Sequence, residues 1–437
     1  MTWSEQRPAL GVIADDLTGA NATGVLLTRT TGFPTASLTD LRWPEGGLDD
    51  YPCVVIATES RAIPADEARR RVTRAARLLL DHGYRPVAKR VDSTLRGNVG
   101  PEVEAVLETL GPGSVALVTG AFPASGRTTS GGIHYVHGVP LAETAVRNDP
   151  LCPVTESHVP TLLRRQTRLP VGQITLNTVR AGAGAVAEAI GEQARRGVRV
   201  LCPDAETDDD IRSLGEGMAR SGIPCVAADP GPLTAAFAAA TLAGGAAGST
   251  GTAAATGTPA PAGPKRVLVV AGSVTPLTRE QLDHLERETD ARLITVDAGA
   301  LGRDSETAEN EISRVVAALA AIDLGHPVIG VRTSEVLSST DAAMAGRIAA
   351  GFAEIAARAL ERVPGLTGLY TSGGDITLAV CRRLQAGAIH LKAEVLPLAV
   401  RGYLIGGLRP GLSIVTKGGL VGDATAAVAC VRHLLDQ

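Results

Sequence analysis

The organisation of this chain can be worked out from residues 89–100, which have the sequence KRVDSTLRGNVG. An apolar run at 86–88 precedes the stretch and indicates a buried strand. Apolar residues at helical spacing follow it, at Val103, Val106, Leu107 and Leu110. In a parallel α/β sheet such a turn lies at the carboxyl ends of the strands, where ligands bind. Because a helix start attracts anions, Lys89 and Arg96 predict a pocket for a small anionic substrate.

The same strand–turn–helix pattern recurs through the first half of the chain. Apolar runs at 10–14, 53–57 and 115–118 each end in polar or glycine-rich residues. The turns after them include Asp15-Asp16, the segment 58–61 and the segment 120–129. Strands that alternate with helices in this way predict a doubly wound sheet with a site along one edge.

Capping offers a simpler explanation for some of these polar residues. Ser93 and Asn98 are good helix-capping residues, and Lys89 and Arg96 could be surface cations of a capped turn. Asp15 and Asp16 are costly to hold side by side unless a cation or metal shares their site, or unless one of them is an N-cap. The sequence alone leaves both explanations open.

Composition excludes several classes of protein. The 437 residues are 44% hydrophobic and 3% aromatic, with a net charge of −4, so no nucleic-acid partner is expected. No apolar run has transmembrane length and no signal peptide is evident, so we expect a cytoplasmic protein with no membrane partner. The six cysteines are scattered and predict buried, reduced thiols. The histidines lack partners at metal-ligand spacing, so no metal-ligating residues are predicted.

A low-complexity segment at 242–264, rich in Gly, Ala, Thr and Pro, divides the chain. Such a composition cannot bury enough apolar surface to fold by itself, so we interpret it as a flexible linker. The predicted domains are 1–241 and 265–437. The predicted fold is α/β, with two α/β domains, largely parallel sheets and a ligand cleft between them.

Glycine-rich turns follow strands in the second half as well. The turn at 371–377 has the sequence TSGGDIT, and the turn at 416–423 has the sequence TKGGLVGD. Glycines let backbone amides approach phosphate oxygens closely, and Lys417 adds a cation, so both turns predict a nucleotide-phosphate site. Each could also be an ordinary turn. The P-loop motif, the dinucleotide fingerprint GxGxxG and the hydrolase motif GxSxG are absent.

Five segments of the chain resemble the four-carbon acid sugar kinase family, which includes 3-oxo-tetronate, D-threonate and D-erythronate kinases. They are residues 14–20 (ADDLTGA), 89–100, 122–129 (FPASGRTT), 373–375 and 417–419, and they occur in family order. The resemblance implies an N-terminal acid-sugar domain and a C-terminal nucleotide domain. It also implies an enzyme that uses ATP to phosphorylate a terminal hydroxyl of a four-carbon sugar acid such as threonate, erythronate or 3-oxo-tetronate.

The resemblance also implies site residues. It places in the acid-sugar site Asp15, Asp16, Arg61, Lys89, Asp92, Ser93, Arg96 and Arg127. It places in the ATP site Ser273, Ser372, Gly373, Gly374, Asp375, Ile376, Thr377, Lys417, Gly418 and Gly419.

Phosphoryl transfer suggests roles for some of these residues. We expect Arg96, with Lys89 or Arg127, to bind the substrate carboxylate, since a guanidinium suits a bidentate grip. Asp15 or Asp16 is the expected catalytic base, in preference to Asp92, and Asp423 is a lower-ranked rival because it also suits an N-cap. Mg²⁺ is expected to bridge the ATP phosphates, held largely by water.

Two other functions compete with the kinase. One is a non-catalytic two-domain protein that binds a metabolite and has a regulatory role, and the other is an NAD-dependent enzyme. A homo-oligomer is compatible with each of these functions. The sequence does not identify which acid sugar is the substrate.

Overall fold

The computed structural model describes residues 10–242, 265–334 and 342–436, and these fall into two compact units. The N-terminal unit contains the described residues up to Leu242 except 44–47, and the C-terminal unit contains 44–47 and the described residues from 265 onward. Two domains with mostly parallel sheets agree with the predicted fold class. The predicted linker lies outside the described residues, apart from Leu242, which is buried at the end of a helix.

The N-terminal unit alternates strands and helices along most of its length. Its strands are β1 (Leu10–Ala14), β2 (Thr35–Leu38), β3 (Cys53–Ala57), β4 (Val87–Arg90), β5 (Val115–Val118), β6 (Arg127–Ser130), β7 (Ile133–Val136), β8 (Val139–Pro140), β9 (Val171–Ile174), β10 (Val200–Pro203) and β11 (Cys225–Asp229). Its α-helices are α1 (Leu17–Thr31), α2 (Ala65–Asp81), α3 (Val99–Leu110), α4 (Val159–Gln166), α5 (Leu176–Arg180), α6 (Ala183–Arg195), α7 (Asp208–Arg220) and α8 (Pro232–Leu242).

The main sheet of this unit is parallel throughout, in the order β2-β3-β1-β4-β11-β5-β10-β9. Every residue of β1, β3 and β11 is buried, as expected when helices cover both faces of a parallel sheet. The register places Ala14 opposite both Ala57 and Arg90. The turns after β1, β3 and β4 therefore start at the same level of one sheet edge.

The C-terminal unit contains a second sheet. Its strands are β12 (Arg266–Ala271), β13 (Arg292–Val296), β14 (Val328–Thr333), β15 (Leu366–Ser372), β16 (Ala388–Leu396), β17 (Ala399–Ile405) and β18 (Ser413–Lys417). Its α-helices are α9 (Pro276–Thr289), α10 (Ala298–Gly302), α11 (Ser305–Ala320), α12 (Ala342–Arg362), α13 (Gly374–Arg383) and α14 (Ala426–Leu435). The order β13-β14-β12-β15-β18 is parallel, and β17 and β16 continue it in antiparallel sense.

Several strands have no clear apolar signal in the sequence. The strand β2 (TASL) buries two hydroxyl residues, and the Thr28 hydroxyl donates a 2.9 Å hydrogen bond to the Thr35 hydroxyl. Residues 127–140 form a small antiparallel sheet, β6-β7-β8. All six cysteines are free, and all but Cys152 are buried, as predicted. Among the described helices, none is both long enough and apolar enough to cross a membrane.

Candidate substrate and nucleotide sites

Two carboxylates and two guanidiniums form a closed ring at the carboxyl edge of the N-terminal sheet. Arg61 binds Asp15 through Nε at 2.6 Å and Asp16 through Nη2 at 2.9 Å. On the other side, Nη1 of Arg90 lies 2.8 Å from Asp15 and 2.9 Å from Asp16. Two neighbouring carboxylates call for a shared cation or metal, or for one of them to be an N-cap, and the structure supplies two cations. Asp16 is also an N-cap, since its Oδ1 accepts a 2.8 Å hydrogen bond from the Gly19 amide.

Two glycines make room for these arginines. A Cβ at Gly19 would lie 2.0 Å from Cζ of Arg90, so any larger residue would push the guanidinium away from the carboxylates. Gly97 has a φ of +86° and packs against the backbone of Arg61, whose carbonyl oxygen would lie 2.6 Å from a Cβ. The ring therefore depends on the glycines of two different turns.

Asp15 and Asp16 differ in their exposure. Burial by itself would raise the pKa of Asp15, but Arg61, Arg90 and Lys89 outweigh it and hold that pKa well below its usual range. The Asp15 side chain is 4% exposed and the Asp16 side chain is 25% exposed. Asp16 is therefore the carboxylate of the pair that a ligand can reach.

A second cluster, centred on Arg96, adjoins the ring. Nε and Nη2 of Arg96 bind the two oxygens of Asp92 at 2.8 and 3.1 Å, and Nη1 binds Asp149 at 3.0 Å. Asp92 also accepts hydrogen bonds from the amide and hydroxyl of Thr94, and Arg61 lies 3.9 Å from it. Burial would raise the pKa of Asp92, but its bonds to Arg96 and the charges of Arg61 and Arg90 lower that pKa strongly.

Lys89 does not face the open edge of the sheet. Its side chain has no exposed surface, and Nζ lies 2.7 Å from Glu102 of α3 and 2.6 Å from the carbonyl oxygen of Arg90. Burial is the main reason that the pKa of Glu102 is raised. The expectation that Lys89 contacts the substrate directly is therefore corrected: in this structure Lys89 is a buried partner of α3.

The rest of the segment 89–100 is held by contacts that capping does not explain. Asn98 precedes α3 but makes no cap bond, and its amide nitrogen donates to the carbonyl oxygens of Ser60 and Ile63 at 2.9 and 2.8 Å. The carbonyl of Ser93 accepts a 2.9 Å hydrogen bond from Nε2 of His134. That histidine is fully buried, and burial lowers its pKa to about 4. Both contacts fix the turn to its neighbours.

One N–H group of Arg127 has no hydrogen-bond acceptor in the described part of the chain. It is half-buried at the start of β6, and one terminal nitrogen donates to the carbonyl of Ser125. Its Nε is buried and has no hydrogen-bond partner within the described part of the chain. Since an unmade bond of a buried charged group is costly, this nitrogen is suited to an acceptor on a ligand.

In the C-terminal unit, three neighbouring parallel strands end together. The register places Ala271 of β12 opposite Ser372 of β15, and Ser372 opposite Lys417 of β18. The turns after these strands, at 272–275, 373–374 and 418–423, therefore start at one sheet edge. The amide of Gly373 donates a 2.8 Å hydrogen bond to the carbonyl of Lys417, which connects two of the turns directly.

Hydroxyl groups connect the remaining turn to this pair. The carbonyl of Gly419 accepts hydrogen bonds from Thr275 at 3.3 Å and Thr278 at 2.9 Å, and Oγ1 of Thr278 also lies 3.0 Å from Oγ of Ser273. A Cβ at Gly419 would lie 2.8 Å from that Oγ, so a glycine is needed for this approach. The three turns thus form one connected surface of backbone and hydroxyl groups.

The residues of the 372–377 turn have unequal roles. Gly373 has a φ of +107°, and Gly374 begins α13. Ile376 is buried against Gly272, and the Thr377 hydroxyl donates to the carbonyl of Gly373 at 2.9 Å, so both side chains support the turn. Ser372 is buried and Asp375 is exposed.

Lys417 is buried without a carboxylate partner among the described residues. Its Nζ donates to the carbonyl oxygens of Gly418 at 2.8 Å and Val421 at 3.3 Å. Burial lowers its pKa to about 8. Asp423, the rival base, is exposed and accepts hydrogen bonds from the amide and hydroxyl of Thr425, and the N-cap of α14 is Thr425 rather than Asp423.

Comparison with known proteins assigns the two halves. The family model described as "Sugar-binding N-terminal domain" matches residues 10–237, and "Nucleotide-binding C-terminal domain" matches residues 268–427. The chain is 45% identical to a D-erythronate kinase of Heliobacterium modesticaldum, over 97% of this chain and 96% of the relative. This chain belongs to the four-carbon acid sugar kinase family.

Other members of the family are also similar over most of their length. A D-threonate kinase of Salmonella typhimurium is 31% identical over 95% of this chain and 96% of its own, and a 3-oxo-tetronate kinase of Methylobacterium radiotolerans is 34% identical over 89% and 90%. A solved structure from Salmonella typhimurium, described as a putative tRNA synthase, has a TM-score of 0.79 at 25% identity, with 97% of this chain and 99% of that one covered.

Sequence reasoning missed several residues of this four-carbon acid sugar kinase family member. Arg90 lies inside the segment 89–100, but its position at the end of a strand led to no role for it. Asp149 lies in a segment without periodicity, and Glu102 had the pattern of an exposed helix residue. Successive side chains of a strand project from opposite faces of the sheet, so Arg90 and Lys89 must lie on different faces. This alternation could have identified Arg90 as a site residue.

Proposed function

We propose that this chain transfers the terminal phosphoryl group of ATP to the terminal hydroxyl of a four-carbon sugar acid. The observation that carries the proposal is the arginine-rich carboxyl edge of the sugar-binding domain, where Arg61, Arg90 and Arg96 surround three aspartates. Threonate, erythronate and 3-oxo-tetronate are the candidate substrates, because the relatives are named for them. D-erythronate is the first to test.

In this proposal Arg127 and Arg96 bind the substrate carboxylate. Among the described residues, the Nε of Arg127 has no hydrogen-bond partner and Nη1 of Arg96 is held by the partly exposed Asp149. A planar guanidinium grips a carboxylate with paired hydrogen bonds, which fixes orientation as well as charge. Lys89 and Arg90 are positioning residues: Lys89 is buried against Glu102, and Arg90 acts on the ligand through Asp16.

Asp16 is the proposed catalytic base. It is more exposed than Asp15, and two arginines and the Gly19 amide fix its orientation. Phosphoryl transfer needs alignment and charge neutralisation more than a strong base, so a carboxylate that bonds the attacking hydroxyl is sufficient.

The nucleotide phosphates are assigned to the three turns of the C-terminal unit. The amides after Gly373 and Gly418 and the ammonium of Lys417 supply donors and positive charge. Ser273 joins them through the Gly419 contact. These are the groups that a phosphate cradle needs, and they are formed mostly from backbone.

Mg²⁺ belongs to the same proposal. No group of three or more His, Cys, Asp or Glu side chains in the described ranges could hold a metal, which suits an ion that arrives with the nucleotide and keeps its waters. Asp375, exposed in the first turn of α13, is the carboxylate that would hold it. When bound, the ion neutralises phosphate charge.

A coupled assay of ADP release tests the proposal. We expect turnover only when ATP, Mg²⁺ and a four-carbon sugar acid are all present, and EDTA should abolish it. Arg127→Ala should raise KM for the sugar acid about tenfold or more and leave KM for ATP unchanged, since one charge-assisted bond is lost. Arg196→Ala, an exposed residue of the same unit, is the control. Tight binding of a sugar acid without any turnover would favour a non-catalytic binding protein.

A further inference from the structure

A groove with a volume of about 660 Å³ lies along the outer side of α2 in the N-terminal unit. The segment 41–43, which follows β2, forms its other wall. Five arginines line it, against a single carboxylate, Asp81; they are Arg42, Arg69, Arg70, Arg74 and Arg77. The chain as a whole has a net charge of −4, so this is a local excess of positive charge.

Two of these arginines have no partner. Arg69 pairs with Glu104 and Glu108, Arg70 pairs with Glu67, and Arg42 pairs with Asp40. For Arg74 and Arg77 the described residues provide neither an ion pair nor a hydrogen bond, and both side chains are exposed. Their charges are therefore available to an anion in the groove.

The spacing of the unpaired arginines suits phosphate. Residues three and four apart on a helix are neighbours, with Cβ atoms about 5–6 Å apart, so the unpaired Arg74 and Arg77 form one row along α2 with Arg70, which pairs with Glu67. Each guanidinium can grip a phosphate through two parallel hydrogen bonds. The row matches two adjacent phosphate groups better than a single carboxylate.

The opposite wall is rigid and apolar. The indole of Trp43 stacks on His82 with ring centroids 3.9 Å apart and planes 12° apart, and it leans on Tyr84 at 5.6 Å. Tyr84 is itself held, because its hydroxyl donates to the carbonyl of Tyr51 at 2.8 Å. Together with Leu41 of the same wall and Leu78 of α2, Trp43 provides apolar surface beside the cations.

We propose that this groove is a second ligand site, which binds a small organic molecule carrying at least two phosphate charges. Its volume lies within the range of about 300–1,000 Å³ that is typical of small-molecule sites. The groove is separate from the Asp15–Asp16 ring. The ring lies at the carboxyl edge of the sheet, near the start of α2 at Ala65, and Arg77 lies about 18 Å further along that helix. A net negative chain and a concave shape disfavour a nucleic-acid duplex.

Binding of inorganic pyrophosphate to the full chain, measured by calorimetry without any nucleotide, tests the proposal. ADP is left out because it carries two phosphate groups itself and would compete for the groove. We expect wild type to bind one pyrophosphate in the groove, and any binding at the C-terminal turns to be the same in every variant of α2. The double variant Arg74→Ala/Arg77→Ala should bind it at least about tenfold more weakly, since two charge-assisted grips are lost.

The matched control is Arg195→Ala/Arg196→Ala, which removes two exposed arginines at the C-terminal end of α6 in the same unit. It should bind pyrophosphate as wild type does, and all three proteins should have the same Tm. Absence of binding in wild type, or equal binding by the Arg74/Arg77 variant, would overturn the proposal. So would a short DNA duplex that binds more tightly than pyrophosphate and depends on the same arginines. None of these outcomes depends on whether the chain is a kinase.

Discussion

The two candidate sites of this kinase family member are built from different materials. At the edge of the N-terminal sheet, side-chain charges define the site: Asp15, Asp16, Arg61 and Arg90 form a closed ring. At the edge of the C-terminal sheet, backbone turns define it, joined by amide and hydroxyl bonds and by the single cation Lys417.

This difference follows from the ligand class of each domain, which is a sugar for the N-terminal domain and a nucleotide for the C-terminal domain. A sugar acid is small and varied in shape, so specific side chains must read its carboxylate and hydroxyls. Phosphates are uniform and highly charged, and backbone amides suit them without specific side chains. We therefore expect substitutions of charged side chains to have the largest effects in the N-terminal site. In the C-terminal site, changes of backbone geometry and of Lys417 should have the largest effects.

The largest effect should come from breaking the ring of charges. Arg90→Ala leaves two buried or partly buried carboxylates with Arg61 alone, and we expect a loss of about 3–5 kcal/mol in the free energy of unfolding. Urea unfolding followed by tryptophan fluorescence measures it, with Trp43 in this unit as the probe. Arg196→Ala, whose exposed pair with Glu192 is worth about 0.3–0.5 kcal/mol, is the control. A loss below about 1 kcal/mol would mean that the ring is not structural.

The single cation of the nucleotide site is the next test. Lys417 has a pKa of about 8, so its attraction for phosphate should be present at pH 7 and lost as the pH rises above that value. Bound phosphate will move the midpoint upward, because it favours the charged amine. ADP affinity, measured from pH 7 to pH 10, should fall about tenfold or more. ADP binding by the Lys417→Met variant should be weak at every pH and should not change with pH. An equal fall in ADP affinity with rising pH in that variant would show that Lys417 is not part of the site.

Glycine geometry can be tested at Gly419. Gly419→Ala places a Cβ about 2.8 Å from Oγ of Ser273, and the resulting shift of the turn should raise KM for ATP about tenfold. The double variant Ser273→Ala/Gly419→Ala should recover part of this loss, because the clashing hydroxyl is gone. Gly346→Ala, at an open position of α12, is the control. A normal KM for ATP in Gly419→Ala would contradict a site defined by backbone approach.

The smallest effect concerns Asp149, which occupies Nη1 of Arg96 where a substrate carboxylate would bind. Asp149→Asn weakens this internal competitor, so KM for the sugar acid should fall by about two- to fivefold, as expected for a partly exposed ion pair. Steady-state kinetics at fixed ATP measure it. A higher KM would show instead that Asp149 holds Arg96 in place for the substrate.

Much of this arrangement was predictable because parallel strands end at a common edge. Apolar runs such as 10–14 and 53–57 predicted the strands, and the polar turns after them were expected to meet. The structure agrees for Asp15, Asp16, Arg61 and Asp92. The strand β2 and the hairpin β16–β17 were missed, since neither has an uninterrupted apolar run, and their burial depends on neighbours remote in sequence.

The sequence by itself determined the alternation of strands and helices, the two-domain division and the chemical character of each turn, because these depend on local periodicity and residue type. Only the tertiary structure decided which charges meet. Arg90 reaches Asp15 and Asp16, and Lys89, its neighbour in the chain, turns to Glu102 on the other side. That choice depends on the strand order β3-β1-β4 and on the face from which each side chain projects.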